Sequence, residues 1–169
     1  HGLPEEDGVF DLGTTACSGS RASELLTIAV VAYPRISKLD EFQSLRNMPH
    51  VRLVWARSPA QLAQADWVVL PGSKATIADL AWLRAQKLDR AIAEHAAQGG
   101  RVLGICGGLQ MLGEALIDPE SIAGNGSGLG LLPLVTQFAP ENTVRPCAHT
   151  FAPLQGAWAA LSGQPLQGY

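Results

Sequence analysis

The chain has 169 residues, enough for one domain with a hydrophobic core of its own. Twelve basic against 15 acidic residues give a net charge of −3, which excludes a nucleic-acid clamp or a basic membrane-surface module, since both need an excess of positive charge. Hydrophobic residues make up 47% and charged ones only 16%, so the chain is neither disordered nor membranous, and its sparse charge hints that some surface meets another domain.

Residues 1–24 are rich in Gly, Ser, Thr and acidic residues, lack apolar periodicity and read as a linker leading into a domain over 25–169. The chain starts at His1-Gly2 without Met. No basic stretch precedes an apolar one, so a signal peptide does not explain that start. Leu25 to Tyr33 is an apolar, β-branched run, short of the ~18 residues of a membrane span, and predicts a strand buried on both faces. Lys38 to Asn47 carries Leu39, Phe42 and Leu45 at helical spacing. Val51 to Ala56 predicts a second strand. Ser58-Pro59-Ala60-Gln61 then has a cap, a first-turn proline and a capping-box glutamine. Trp67 to Leu70 is a third strand, ended by Pro71-Gly72. Helices are expected over Thr76 to Ala85 and Leu88 to Gln98, the second closed by Gly99-Gly100. Val102 to Ile105 is a fourth strand and Gly108 to Leu116 a helix. A Gly-rich loop follows over 118–130, then an apolar run from Leu131 to Phe138 and a proline-rich tail of weak periodicity. Strand and helix alternating in this order predict a doubly wound α/β fold, a mostly parallel sheet with helices on both faces and its site at the carboxyl ends of the strands.

The strand ending in Gly104-Ile105-Cys106-Gly107-Gly108 runs straight into a helix, with the pattern Gly-x-Cys-x-Gly. This is the cysteine version of a nucleophile elbow. The glycines permit a tight turn that holds the side chain out at the sheet edge. The helix start beneath Cys106 favours the thiolate and aims the Gly107 N–H at the place where an oxyanion would form. A buried, inert cysteine is the competing reading. Leu70-Pro71-Gly72-Ser73-Lys74-Ala75-Thr76 follows a predicted strand on the same edge. Its Pro-Gly pair could present a second oxyanion donor, or the segment could be an ordinary turn with Ser73 or Thr76 capping the helix.

The three cysteines, Cys17, Cys106 and Cys147, include no CxxC pair, which argues against a disulfide framework or a zinc knuckle and for free thiols in a reducing cytoplasm. A cysteine nucleophile needs a base, commonly histidine. His1 lies in the linker, His50 before a strand at the amino edge, and His95 on a helix. His149 is the remaining candidate. There is no phosphate-loop or dinucleotide-loop motif, and no carboxylate or histidine cluster suggests a metal site.

Gly104 to Gly113 resembles the nucleophile motif of the class I (triad) glutamine amidotransferases, whose fold is flavodoxin-like. More narrowly, Leu70 to Leu83 is similar to the glutaminase domain of the cobyric acid synthase family, as are Tyr33 to Ser37, Gly128 to Pro133 and His1 to Leu3. The resemblance implies that Cys106 attacks the glutamine amide to form a glutamyl thioester and release ammonia. It implies oxyanion N–H groups at Gly72 and Gly107, and Gln110 helping to seat glutamine. No cofactor is implied for this domain. An amino-terminal synthetase domain of the same protein would use ATP and Mg²⁺ to amidate cobyrinic acid a,c-diamide in cobalamin biosynthesis, with no nucleic acid or membrane partner. The family's catalytic histidine lies in a Gly-Tyr-Glu-Ile-His motif. Gly168-Tyr169 matches its first two positions and the sequence stops there, so the expectation is a fragment, cut from a larger enzyme, that hydrolyses glutamine poorly alone. The third triad member is unassigned. Alternatives are the amidotransferase domain of a cobyrinic acid diamide synthase or a lipid II isoglutaminyl synthase, or a docking domain whose Cys106 is a relic.

Overall fold

The structure, a computed structural model, describes residues 25–37, 39–120, 124–140 and 145–168. The expected linker over 1–24 lies outside the described residues, as do Lys38 and Tyr169.

Four strands form a wholly parallel sheet: β1 (Leu26–Val31), β2 (Val51–Ala56), β3 (Trp67–Leu70) and β4 (Arg101–Gly104). Their order is β2-β1-β3-β4, so the chain winds outward from β1 in both directions. Side chains alternate across a strand, and here both faces are apolar. Ala29 and Val31 of β1, with Val68 and Leu70 of β3, belong to one core; Ile28, Val30 and Val69 belong to the other.

Helices cover the first face. They are α2 (Pro59–Leu62), α3 (Thr76–Ala85), α4 (Leu88–Ala97) and α5 (Gly107–Leu112). Leu62, Leu80, Leu83, Leu88, Ile92 and Met111 fill the space between them and the sheet. Gln61 Oε1 accepts from the N–H groups of Arg57 (2.7 Å) and Ser58 (3.1 Å), holding the start of α2 as the capping-box spacing predicts. The second face is covered more thinly. The helix expected over Lys38 to Asn47 is a 3-10 turn, Leu39–Phe42, running into a single turn, α1 (Gln43–Arg46). Phe42 is its buried anchor and meets Trp55 edge-on, with ring centroids 5.5 Å apart.

Two expectations fail. The helix after Cys106 stops at Leu112 rather than Leu116, because Gly113 turns to extended backbone. The Gly-rich loop folds back onto the end of α5: the N–H groups of Leu129 and Leu131 donate to Met111 O (2.8 Å) and Leu112 O (2.9 Å), satisfying carbonyls that helix ends leave open. Ala115–Ile117 is therefore a strand, β5, between β6 (Gly126–Ser127) and β7 (Val135–Gln137). The tail is also less irregular than its composition suggests. β8 (Cys147–Thr150) and β9 (Pro165–Gly168) form an antiparallel pair. The 3-10 turn between them, Gly156–Leu161, sets Trp158 edge-on to Trp67, with centroids 5.3 Å apart. Every residue of both strands is exposed, so neither carries the apolar alternation that marks a half-buried strand. Among the described residues no helix is long and apolar enough to cross a membrane.

Candidate active site

β3 and β4 lie side by side with Leu70 opposite Gly104, so the segments leaving their carboxyl ends emerge together. The Ile105 N–H donates to Leu70 O (2.9 Å), and the chain then turns through Cys106 into α5. Cys106 has φ 50° and ψ −114°, a backbone conformation that L-residues rarely adopt and that costs on the order of 1–3 kcal/mol. The surroundings enforce it. The Gly108 N–H donates to Ile105 O (2.8 Å) and the Gln110 N–H to Cys106 O (3.1 Å), closing the turn from the helix side. At Gly108 a side chain would collide with the backbone of Leu70 and Pro71, and at Gly104 it would stand 2.6 Å from Leu109 Cα. Only glycine permits α5 to sit this close to the strand ends. The result is an exposed, free Cys106 thiol raised at the sheet edge. It is not the buried, inert cysteine of the competing reading.

Gly72 comes up beside it. A Cβ on Gly72 would stand 3.8 Å from Cys106 Cβ. The segment around Gly72 is strapped to the chain leaving β1. The Ser37 N–H donates to Gly72 O and the Lys74 N–H to Arg35 O, both at 2.9 Å, around an antiparallel bridge between Ile36 and Ser73. The Tyr33 hydroxyl donates to Pro71 O. A Cβ on Gly107 would lie 2.9 Å from Ser73 N, so the start of α5 packs closely against the segment that follows Gly72. Neither the Gly72 nor the Gly107 N–H enters a backbone hydrogen bond among the described residues.

The profile of the CobB/CobQ-like glutamine amidotransferase domain matches residues 27–169. The chain belongs to that family. This CobB/CobQ-like domain is 68% identical, along its whole length, to the cobyric acid synthases of Paracidovorax citrulli (strain AAC00-1) and Acidovorax sp. (strain JS42). It spans 34% of the length of each, about a third of these curated relatives. A solved structure described as a glutamine amidotransferase superposes with a TM-score of 0.54 at 15% identity, covering 72% of this chain and 62% of its own. That likeness shows the shared α/β fold.

The CobB/CobQ-like domain uses Ser73 and Thr76 differently. Ser73 Oγ accepts from the Ala75 N–H (3.0 Å) at the start of α3, while the Thr76 hydroxyl donates to Gln110 Oε1 (3.2 Å). Gln110 is thereby tied across the gap between α5 and α3.

Two residues of the site escaped the sequence analysis. Asp79 is fully buried under the Gly72 segment. It accepts from Ser73 Oγ (2.6 Å) and from the Arg35 N–H (3.3 Å), with the Arg35 guanidinium 3.8 Å away. Burial pushes its carboxyl above the usual carboxylate range, partly opposed by the Ser73 and Arg35 contacts. Tyr33 is 1% exposed, and burial, then the negative charges of Asp79 and Cys106, hold its phenol far above the ordinary range. An acid in the first turn of a helix is an ordinary sequence feature, and Tyr33 reads as the last residue of a strand. Neither gives a functional signal until the fold joins positions about forty apart.

The described histidines His50 and His95 sit at the end of the sheet opposite the thiol. His50, at φ 65°, precedes β2, and His95 Nε2 lies 3.2 Å from Arg101 O at the start of β4, so both mark the amino edge. His149 is exposed on β8 opposite Leu166. Among the described residues no histidine hydrogen-bonds Cys106.

Proposed function

We propose that this domain hydrolyses glutamine and hands the ammonia to a synthetase carried by the rest of its polypeptide. The observation that carries the proposal is Cys106 at positive φ on a strand-to-helix turn, with Gly72 close beside it and the N–H groups of Gly72 and Gly107 unused in backbone hydrogen bonds among the described residues. The Cys106 sulfur attacks the side-chain amide carbon of glutamine. The two N–H groups stabilise the oxyanion of the tetrahedral intermediate. Its collapse breaks the C–N bond, the nitrogen leaves protonated as ammonia, and water cleaves the glutamyl thioester to glutamate. Gln110, held by Thr76, helps to seat the glutamine. A base and a third triad member are not assigned to described residues.

Similarity to cobyric acid synthases favours a corrinoid acceptor, cobyrinic acid a,c-diamide, over the substrates of a diamide synthase or an isoglutaminyl synthase. ATP and Mg²⁺ would serve that amidation. The described residues do not fit them, since there is no phosphate loop and no group of three or more His, Cys, Asp or Glu that could hold a metal ion. No step here passes through them. The free thiols suit a reducing cytoplasm.

The test feeds the native polypeptide that contains this chain with amide-¹⁵N glutamine, ATP, Mg²⁺ and cobyrinic acid a,c-diamide. The expected result is ¹⁵N in the corrinoid amides in step with glutamate release. Use of free ammonia with no transfer from glutamine would leave a docking domain in place of a glutaminase.

A further inference from the structure

Two tethers converge on the segment that follows β3. From one side the buried Tyr33 hydroxyl donates to Pro71 O. From the other, Ser73 Oγ donates to Asp79 Oδ2 at 2.6 Å, and Asp79 is itself fixed by the Arg35 N–H. The Pro71 carbonyl and the Gly72 N–H belong to the same peptide unit. That unit is planar and trans, so its C=O and N–H point in opposite directions. Whatever holds the carbonyl therefore fixes the direction of the N–H. Glycine accepts either sign of φ, so a Pro-Gly peptide can rotate at low backbone cost, and its own sequence does not set that direction. Tyr33 supplies what the backbone lacks, and with its phenol kept neutral by burial it stays a donor. Ser73 anchors the following residue to a carboxylate that has no exposure to water.

We infer that Tyr33, and Ser73 through Asp79, are positioning residues that aim the Gly72 N–H at the oxyanion formed on glutamine. This rests on the proposed roles of Cys106 and Gly72 and adds the groups that hold the donor in place. Without the Tyr33 hydroxyl, Pro71 O becomes a buried acceptor lacking its partner, and rotation of the peptide relieves it while turning the N–H away.

The test measures glutaminase kinetics and Cys106 alkylation by iodoacetamide in the native polypeptide, its Tyr33→Phe and Ser73→Ala variants, and Cys106→Ser. Removing an oxyanion donor outright costs about 100- to 1000-fold in kcat, so misaiming one is expected to cost about 10- to 100-fold in Tyr33→Phe and roughly 3- to 10-fold in Ser73→Ala. KM for glutamine should stay within about twofold, because the oxyanion exists only after attack. Alkylation should also stay within about twofold, since displacement of iodide forms no oxyanion. A kcat within about twofold of the parent in either folded variant overturns the inference, as does a loss of alkylation that matches the loss of kcat. If Tyr33→Phe fails to fold, Ser73→Ala decides. Glutaminase surviving in Cys106→Ser would instead overturn the assignment of the site on which the inference rests.

Discussion

Cys106→Ser is expected to lower glutamine hydrolysis by at least about 10,000-fold while leaving the fold intact. Cysteine carries a few per cent of thiolate near neutral pH and is intrinsically a strong nucleophile, whereas a serine hydroxyl needs a base to remove its proton during attack. The proposed oxyanion donors, the N–H groups of Gly72 and Gly107, would do nothing to activate an alcohol. Because Cys106 is exposed, the serine variant should unfold within about 0.5 kcal/mol of the parent. Steady-state glutamate release checks the first statement and thermal unfolding the second. A parallel loss of both would mean that the thiol is structural.

Gly108→Ala should have a large effect on stability, about 3 kcal/mol, at the upper end of what overpacking costs. The added methyl would run into Leu70 O and stand 2.7 Å from Pro71 O. Both belong to the backbone at the end of β3, and no side chain can swing aside to make room. Relief requires α5 to lift from the strand ends, which carries Cys106 away from Gly72. For a domain of this length the melting temperature should fall by about 6–12 °C. Activity should fall with it, even at temperatures where the variant remains folded. Gly107→Ala, whose methyl would meet Ser73 N at 2.9 Å and the Thr76 hydroxyl at 3.0 Å, should be milder because both contacts are longer than the overlap with Leu70 O at Gly108.

The elements that place the thiol were legible because they are local. β1 announces itself as an unbroken apolar run, since a parallel strand with helices or loops on both faces has no side to leave polar. Gly104, Cys106 and Gly108 are legible for the same reason: one turn of chain contains the whole steric argument, and their spacing states it. Gly72 was legible only as the end of a strand that had to finish on the same edge. What stayed hidden depends on contacts between distant segments. The Tyr33–Pro71 bond joins residues 38 apart, and the Arg35–Asp79 contact joins residues 44 apart. The apolar Ala115-Leu116-Ile117 run continues a helical pattern in sequence, yet the returning loop at Gly128 and Leu129 takes over the end of α5 and converts that run to a strand. β8 and β9 pair by backbone alone with every side chain in solvent, which leaves no periodicity to read.

The most direct test of the site is to treat the native polypeptide containing this chain with a glutamine-analogue diazoketone and to locate the adduct by peptide mass spectrometry. The account predicts one adduct per chain, on Cys106, formed with loss of nitrogen, prevented by excess glutamine and absent from Cys106→Ser. An adduct on Cys147 or on any other residue that tracks the loss of glutaminase activity, with Cys106 unmodified, would contradict it.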